Sequence, residues 1–255
     1  MVVTSNVGTA LAQKRLKTGG NGMMSSPEML RRIPLFADLH EKDLQMMYRL
    51  ASSQRFPRGA TIFFEEDPGD ALYIVLQGMV RIYRVADDGR EKTLTFLEEG
   101  EFFGEMALLD GGRRSAIAEA LEETRTLVIL RADFTRLLLE RPDIAMEVIT
   151  VLSQRLRQTN AQLMESIFCD TRQRVAIALI DLASRHGLPS SGGISIALKL
   201  THQELAHMVG AARETVSRVL ASLQEEGLLL TDGRRLVVVD MKGLAQLGGS
   251  AAPGE

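Results

Sequence analysis

Cysteine is almost missing from this 255-residue sequence, and no apolar run approaches the ~20 residues of a bilayer span. The one thiol, Cys169, allows no intrachain disulfide, no four-thiolate iron–sulfur site and no cysteine-rich zinc site. No secretory hydrophobic segment follows Met1, so the expected compartment is the cytoplasm and no membrane partner is expected. A dominant charge is absent too: 30 Lys and Arg stand against 33 Asp and Glu, a net charge of −3. Any nucleic-acid binding must therefore come from a local patch. What is there has the balance of a folded soluble chain, 45% hydrophobic and 25% charged. Its length suits one large domain or two ordinary ones.

The texture changes along the chain. Residues 1–26 are small, polar and Gly-rich, with Lys14, Arg15 and Lys17 and no acid; they read as a disordered tail, the alternative being a basic arm. Between 26 and 50, two short helical patterns flank Pro34-Leu35-Phe36. Asp38 can cap a helix that places Leu44, Met47 and Leu50 on one face. From 55 to 130, strand-like runs at 61–65, 71–77, 80–85, 92–97, 115–120 and 126–130 alternate with turn signals such as Asp67-Pro68-Gly69-Asp70 and Asp87-Asp88-Gly89. Short strands this closely spaced imply a β-sandwich or jelly roll. Residues 142 to about 168 then read as one long helix. Ile149, Leu152, Leu156, Thr159, Leu163 and Ser166 recur on it at the spacing of a coiled-coil seam. That seam fits an equivalent helix from a second chain; the alternative is a helix lying on its own domain. Thr159 and Ser166 are polar on this stripe, which suits a register or ligand role.

A second unit starts near Asp170: a helix over 172–185, a loop over 187–193, a strand over 194–200, then helix–turn–helix and a hairpin turning at Asp232-Gly233. Thr201 and Glu204 form a capping box. Ala206 is small where two helices cross, Gly210 supplies a left-handed turn, and Val216 and Val219 face the first helix. These offsets are those of a helix–turn–helix. Arg213, Glu214, Ser217 and Arg218 share the outer face of the second helix. Arg can pair with guanine O6/N7 and Glu can accept from cytosine N4. Thr201, His202 and Thr215 are placed to meet phosphates, and Gln203 completes the DNA-facing set. The alternative is a solvated ion-pair face of Arg213, Glu214 and Arg218. Charge alone does not decide, since Lys199, Arg213, Arg218, Arg234 and Arg235 are matched by Glu204, Glu214, Glu225, Glu226 and Asp232; dimeric specific binding is expected rather than strong non-specific binding.

A second site lies in GEFFGEMALLDGGRRSAIAEA, residues 100–120. Gly104 and Glu105 open a short helix whose free N–H groups favour an anion. Gly111-Gly112 turns the chain back to Arg114 and Ser115. Helix start, guanidinium and hydroxyl make a phosphate cradle, while the Glu105 carboxylate suits a sugar hydroxyl, so the ligand should carry both. The alternative is a surface turn with a Glu105–Arg114 ion pair.

The cassette FGEMALLDGGRRSA and the helix RETVSR, in this order and separation, resemble the cyclic-AMP receptor protein and fumarate-nitrate-reduction (Crp/Fnr) family of transcription regulators, closest to its cyclic-AMP-responsive branch, over about residues 30–240. The resemblance implies an α+β chain: a β jelly-roll cyclic-nucleotide-binding domain at 27–140, a dimerisation helix at 141–169 and a winged helix–turn–helix domain at 170–243, with a flexible tail at 244–255. It implies that Glu105 binds a ribose hydroxyl beside Gly104, that Arg114 and Ser115 bind the cyclic phosphate, and that Thr159 and Asn160 meet adenine. It implies a homodimer, TGTGA-like half-sites in double-stranded DNA, and an RNA polymerase partner, for which the 187–193 loop is a candidate surface. The chain departs from the family at Ala212, where a capping Ser is expected, and at Asn160, which replaces a Ser. The cysteine cluster of the oxygen-sensing branch is absent, and only His40 lies in the sensor region, so neither an iron–sulfur cluster nor haem is expected. His186, His202 and His207 show no metal-ligand spacing. Glu105, Arg114 and Ser115 provide no activated nucleophile–base pair, so no enzyme is expected. Two rival readings are a ligand-independent family member and a cyclic-nucleotide-binding regulatory subunit; the segment 201–239 argues against the second.

Overall fold

The computed structural model describes residues 27–37, 39–198, 200–232 and 235–249. The expected tail at 1–26, the expected cap Asp38 and the turn residue Gly233 lie outside these residues. Two units form. One comprises the residues up to Arg84 with Thr95–Ser153, the other Val85–Leu94 with the residues from Gln154 on.

In the first unit, 3₁₀ turns at Pro27–Arg32 and Pro34–Phe36 lead to α1 (Glu41–Leu50). Glu41 and Asp43 occupy its first turn and Arg49 its last, the arrangement a helix dipole favours. Leu44 and Met47 are buried, as their spacing predicts. The strands are β1 (Ser52–Phe56), β2 (Thr61–Phe63), β3 (Ala71–Gln77), β4 (Val80–Val85), β5 (Glu91–Leu97), β6 (Phe102–Phe103), β7 (Ile117–Ala120) and β8 (Thr124–Leu130). Helix α2 (Glu105–Asp110) separates β6 from β7, and α3 (Arg131–Glu140) and α4 (Pro142–Phe168) follow β8. Two four-stranded sheets result, ordered β1-β8-β3-β6 and β2-β7-β4-β5, as expected for a jelly roll. Along β3 successive side chains serve opposite cores, as a period of two requires. Leu72 and Ile74 join Leu44, Met47, Leu127, Phe134, Ile144 and Val148, while Tyr73 and Val75 join Phe63, Val80, Leu97 and Phe103. Two strands escape the hydrophobic pattern. The mostly polar β1 is held by its ladder with β8, Ser52 opposite Val128 through Phe56 opposite Thr124. The two-residue β6 lies beside Tyr73 and Ile74.

In the second unit, α5 (Thr171–His186) starts with a capping box: the Asp170 side chain accepts from Gln173 N at 2.9 Å, and Gln173 Oε1 accepts from Asp170 N at 2.9 Å. Then come β9 (Gly187–Ser190), β10 (Gly193–Ile196), α6 (His202–Val209), α7 (Arg213–Glu225), β11 (Leu229–Asp232), β12 (Arg235–Val238) and α8 (Met241–Leu247). The sheet is ordered β11-β12-β10-β9. Val175, Leu179 and Leu182 of α5, Leu205 of α6, and Val216, Leu220 and Leu223 of α7 form its core.

Three expectations need correction. The 187–193 segment is not a plain loop: Gly187–Ser190 pairs with Gly193–Ile196. Pro189 is tolerated there because β9 is an edge strand. The tail expected from 244 begins too early, because α8 runs to Leu247. Asp240 caps it by accepting from Gly243 N at 2.9 Å, and Leu244 is fully buried in the core. The long helix runs as one element, but the separate dimerisation segment expected at 141–169 is shared between the units: Ile144 and Val148 are buried in the first unit's core and the residues from Gln154 on group with the second unit. Of its seam, Ile149, Leu156, Thr159, Leu163 and Ser166 are exposed in the single chain and Leu152 is half-buried. Among the described residues no helix is long and apolar enough to cross a membrane.

Because Leu244 anchors α8 in the second core, Leu244→Ala should destabilise the protein by about 2–5 kcal/mol, read as a lowered denaturation midpoint. A loss within about 0.5 kcal/mol, the range of ordinary surface substitutions, would contradict this packing.

Candidate ligand cradle and nucleic-acid interface

Gly104 enters α2 with φ 81°. A Cβ at this position would lie 2.4 Å from Arg114 Nη1, so the positive backbone angle favours glycine and a side chain here would displace the Arg114 guanidinium. Glu105 and Arg114 are 3% and 4% exposed, which removes the surface-turn alternative. Arg114 Nη1 donates to Gly104 O at 2.6 Å and Nη2 to Ala71 O at 2.7 Å. Its Nε is buried and has no hydrogen-bond partner. The side chain expected to meet a phosphate is thus tied to two backbone carbonyls while one donor stays unused. Ser115 is exposed, its Oγ 3.6 Å from Met106 Sδ. The backbone around Arg114 is stitched to the preceding turn: Glu66 N donates to Arg114 O at 2.9 Å and Arg114 N to Asp67 O at 3.0 Å. Glu66 adopts φ 66° to allow this, a conformation rare for a non-glycine residue.

An aromatic wall supports the guanidinium, whose carbon lies 4.3 Å from the Phe63 ring centroid and 5.7 Å from that of Tyr73. Tyr73 and Phe103 stack at 5.2 Å. A cation over a ring face gains from the quadrupole, which offsets part of the desolvation. Burial pushes the Arg114 pKa down, opposed by Tyr73, Asp70, Glu105 and Asp67; burial pushes the Tyr73 hydroxyl up, with Arg114 acting against it. Sequence reasoning missed these three rings. Phe102-Phe103 directly before Gly104 was the visible signal, and the alternation of β3 implied which side Tyr73 takes.

Gly104, Glu105, Arg114 and Ser115 are therefore all carried by the first unit. Thr159 and Asn160 lie on the second unit's part of α4 and are exposed. Thr159 Oγ1 donates to Arg155 O at 2.9 Å, a bond within its own helix that occupies the hydroxyl proton and leaves its lone pairs available.

In the second unit the capping box at α6 is complete. Glu204 N donates to Thr201 Oγ1 at 3.1 Å, and Thr201 N to Glu204 Oε2 at 2.6 Å. Gly210 takes φ 66° in the turn. α7 begins at Arg213 behind Ala212, which provides no side-chain cap. Arg213, Glu214 and Arg218 are exposed, whereas Thr215 and Ser217 are half-buried. Thr201, His202, Gln203 and Arg213 line one concavity of about 550 Å³. His202 Nδ1 lies 2.8 Å from Ser217 Oγ, so Ser217, read as outward-facing, instead joins the two helices. Gln203 Nε2 lies 2.5 Å from His207 Nε2, and Arg218 Nη2 reaches Thr215 Oγ1 at 3.5 Å. Arg213, Glu214 and Arg218 lie exposed on the outer face of α7. Among the described residues no group of three His, Cys, Asp or Glu side chains could hold a metal ion.

Residues 53–141 match the cyclic nucleotide-binding domain family, and residues 173–247 match the Crp-like helix-turn-helix domain family. The chain is 36% identical over 219 residues to the CRP-like cAMP-activated global transcriptional regulator of Mycobacterium tuberculosis, covering 86% of this chain and 98% of that protein. It is 39% identical over 196 residues to the cyclic AMP receptor protein of Thermus thermophilus, covering 77% and 88%. Among solved structures, the c-di-GMP responsive global regulator CLP of Xanthomonas campestris superposes with a TM-score of 0.71 at 29% identity, covering 79% of this chain and 100% of that one.

The uncapped start of α7 gives a direct test: Ala212→Ser should stabilise the protein by about 0.5–2 kcal/mol, read by denaturant unfolding. An unchanged or lowered midpoint would contradict the local geometry.

Proposed function

The chain belongs to the Crp/Fnr family of transcription regulators, and from that premise we propose that it is a cyclic-AMP-responsive homodimer acting on palindromic sites with TGTGA-like half-sites. The observation that carries the ligand reading is the unpartnered Nε of Arg114. A buried donor without a partner costs about 1–3 kcal/mol, and an anionic oxygen at the cradle would relieve it. The same oxygen can draw Nη1 and Nη2 away from Gly104 and Ala71, exchanging neutral acceptors for a charged one. Glu105 would accept from a ribose hydroxyl and Ser115 would donate to the phosphate. Thr159 and Asn160 would meet adenine, whose N6/N7 edge suits an amide. The names of the relatives from Mycobacterium tuberculosis and Thermus thermophilus favour cyclic AMP, while that of the Xanthomonas campestris regulator shows that ligands differ across this fold.

The dimer reading rests on the apolar stripe of α4, which the chain itself leaves uncovered. Pairing two such helices would bury it and set two α7 helices about one DNA turn, ~34 Å, apart. Arg213 and Arg218 would then address guanines and Glu214 a cytosine, with Thr201, His202, Gln203, Thr215 and Ser217 nearer the phosphates. Only a ligand with different affinity for two arrangements of the dimer can shift DNA binding. RNA polymerase is the expected protein partner and the cytoplasm the expected compartment. One observation favours a second reading, a ligand-independent family member: Arg114 Nη1 and Nη2 both donate to backbone acceptors of the chain itself.

Calorimetric titration separates the two. We expect heat with cyclic AMP for the intact protein and none for Arg114→Leu, which should remain dimeric. No heat with either cyclic AMP or cyclic GMP would leave the ligand-independent reading. In fluorescence anisotropy with a TGTGA-palindrome duplex, cyclic AMP should raise affinity by about 5–150-fold. Arg213→Ala should cost ~1–3 kcal/mol and relax discrimination at one base position; an equal loss on every sequence would mark a phosphate contact instead.

A further inference from the structure

Helix α2 has six residues, too few to hold itself together, so its position must be imposed from outside. At its start Arg114 joins Gly104 O to Ala71 O. At its end a second arginine, which the sequence patterns did not single out, makes a matching tie. Arg131 Nη2 donates to Ala107 O at 2.9 Å and to Gly69 O at 2.6 Å, and Nη1 to Leu108 O at 3.1 Å. Ala107 and Leu108 are among the last residues of α2, whose carbonyls have no acceptor role left inside so short a helix. A cation at that end also suits the helix dipole. The turn it reaches is pressed close: a Cβ on Gly69 would lie 2.2 Å from Ala107 Cβ. Arg131 is itself fixed, because it is the first residue of α3 directly after β8. Its N–H also donates to Asp70 O at 2.9 Å.

We infer that Arg131 is the positioning residue of the cradle: it keeps α2 in register with the 69–71 segment when a ligand anion draws Arg114 away from Gly104 and Ala71. This rests on the ligand reading above. The two ties join the same pair of segments, and only the one at Arg114 competes with ligand. Where Arg114 holds Gly104 and Ala71 both ties act, and once a ligand anion takes Arg114 the position of α2 depends on Arg131 alone. Loss of Arg131 should accordingly weaken ligand binding more than it weakens the ligand-free fold. The bond pattern needs a planar fork reaching three carbonyls, so lysine should restore only part of the effect.

The experiment compares wild type, Arg131→Met, Arg131→Lys and Gly69→Ala. It combines calorimetric titration with cyclic AMP, melting of the ligand-free protein and hydrogen exchange over residues 104–112. For Arg131→Met the account predicts a dissociation constant raised about tenfold or more, as for losing bonds from a charged donor. The ligand-free melting temperature should stay close to wild type, and exchange should rise over 104–112 but not in β8. Arg131→Lys should fall between, and Gly69→Ala should reproduce the loss by pushing Ala107 away. Wild-type affinity together with wild-type exchange in Arg131→Met would overturn the inference, as would a drop in melting temperature with unchanged affinity. If wild type itself binds no cyclic AMP, the nucleotide reading fails. The exchange arm then decides alone: faster exchange over 104–112 supports the positioning role and unchanged exchange refutes it.

Discussion

The cradle depends on burying one guanidinium against two backbone carbonyls. Arg114 is almost wholly enclosed, and three features of the chain exist to accommodate it. Gly104 must lack a Cβ, Phe63 must offer a ring face, and the 66–67 turn must accept an unusual backbone angle to pair with residue 114. An isolated buried cation is costly. Here the acceptors, the ring and the nearby Asp70, Glu105 and Asp67 reduce that cost without using every donor. One donor, Nε, is left without a hydrogen-bond partner, the feature on which the proposed ligand reading rests.

Fixed elements place this group. β6 and β7 lead into and out of the cassette, and β3, the strand paired with β6, supplies Ala71 and Tyr73. A short helix between two left-handed glycines can be held firmly only by such neighbours. The reading head is organised differently. Its caps and left-handed turn are local, and its two helices are joined by packing and by the His202–Ser217 contact. Arg213, Glu214 and Arg218 on the outer face of α7 stay exposed.

Much of this was legible in the residues. Period-two alternation located β3 and β4, heptad spacing located α4, and the Thr201/Glu204 pair located the start of α6, because each is a local pattern tied to local geometry. β1 was not legible because its polar residues are held by β8, a partner about seventy positions away along the chain. α8 was missed because a seven-residue pattern is too short to show a period, and its burial is decided by the core built from α5 and α7. At the cradle the residue types were readable from the cassette. The inward bonds of Arg114 and the aromatic wall were not, because they arise where three distant segments meet. Ser217 shows the same limit: helix phase put it outward, and a hydroxyl-to-imidazole contact turned it to an internal role.

The central claim is that Arg114 Nε is a donor awaiting an anion. The direct measurement follows the Arg114 side-chain Nε–H resonance by nuclear magnetic resonance while cyclic AMP is added. The account predicts a downfield shift and slowed exchange with water, saturating with the binding heat. A resonance that stays in place while the nucleotide binds would contradict it.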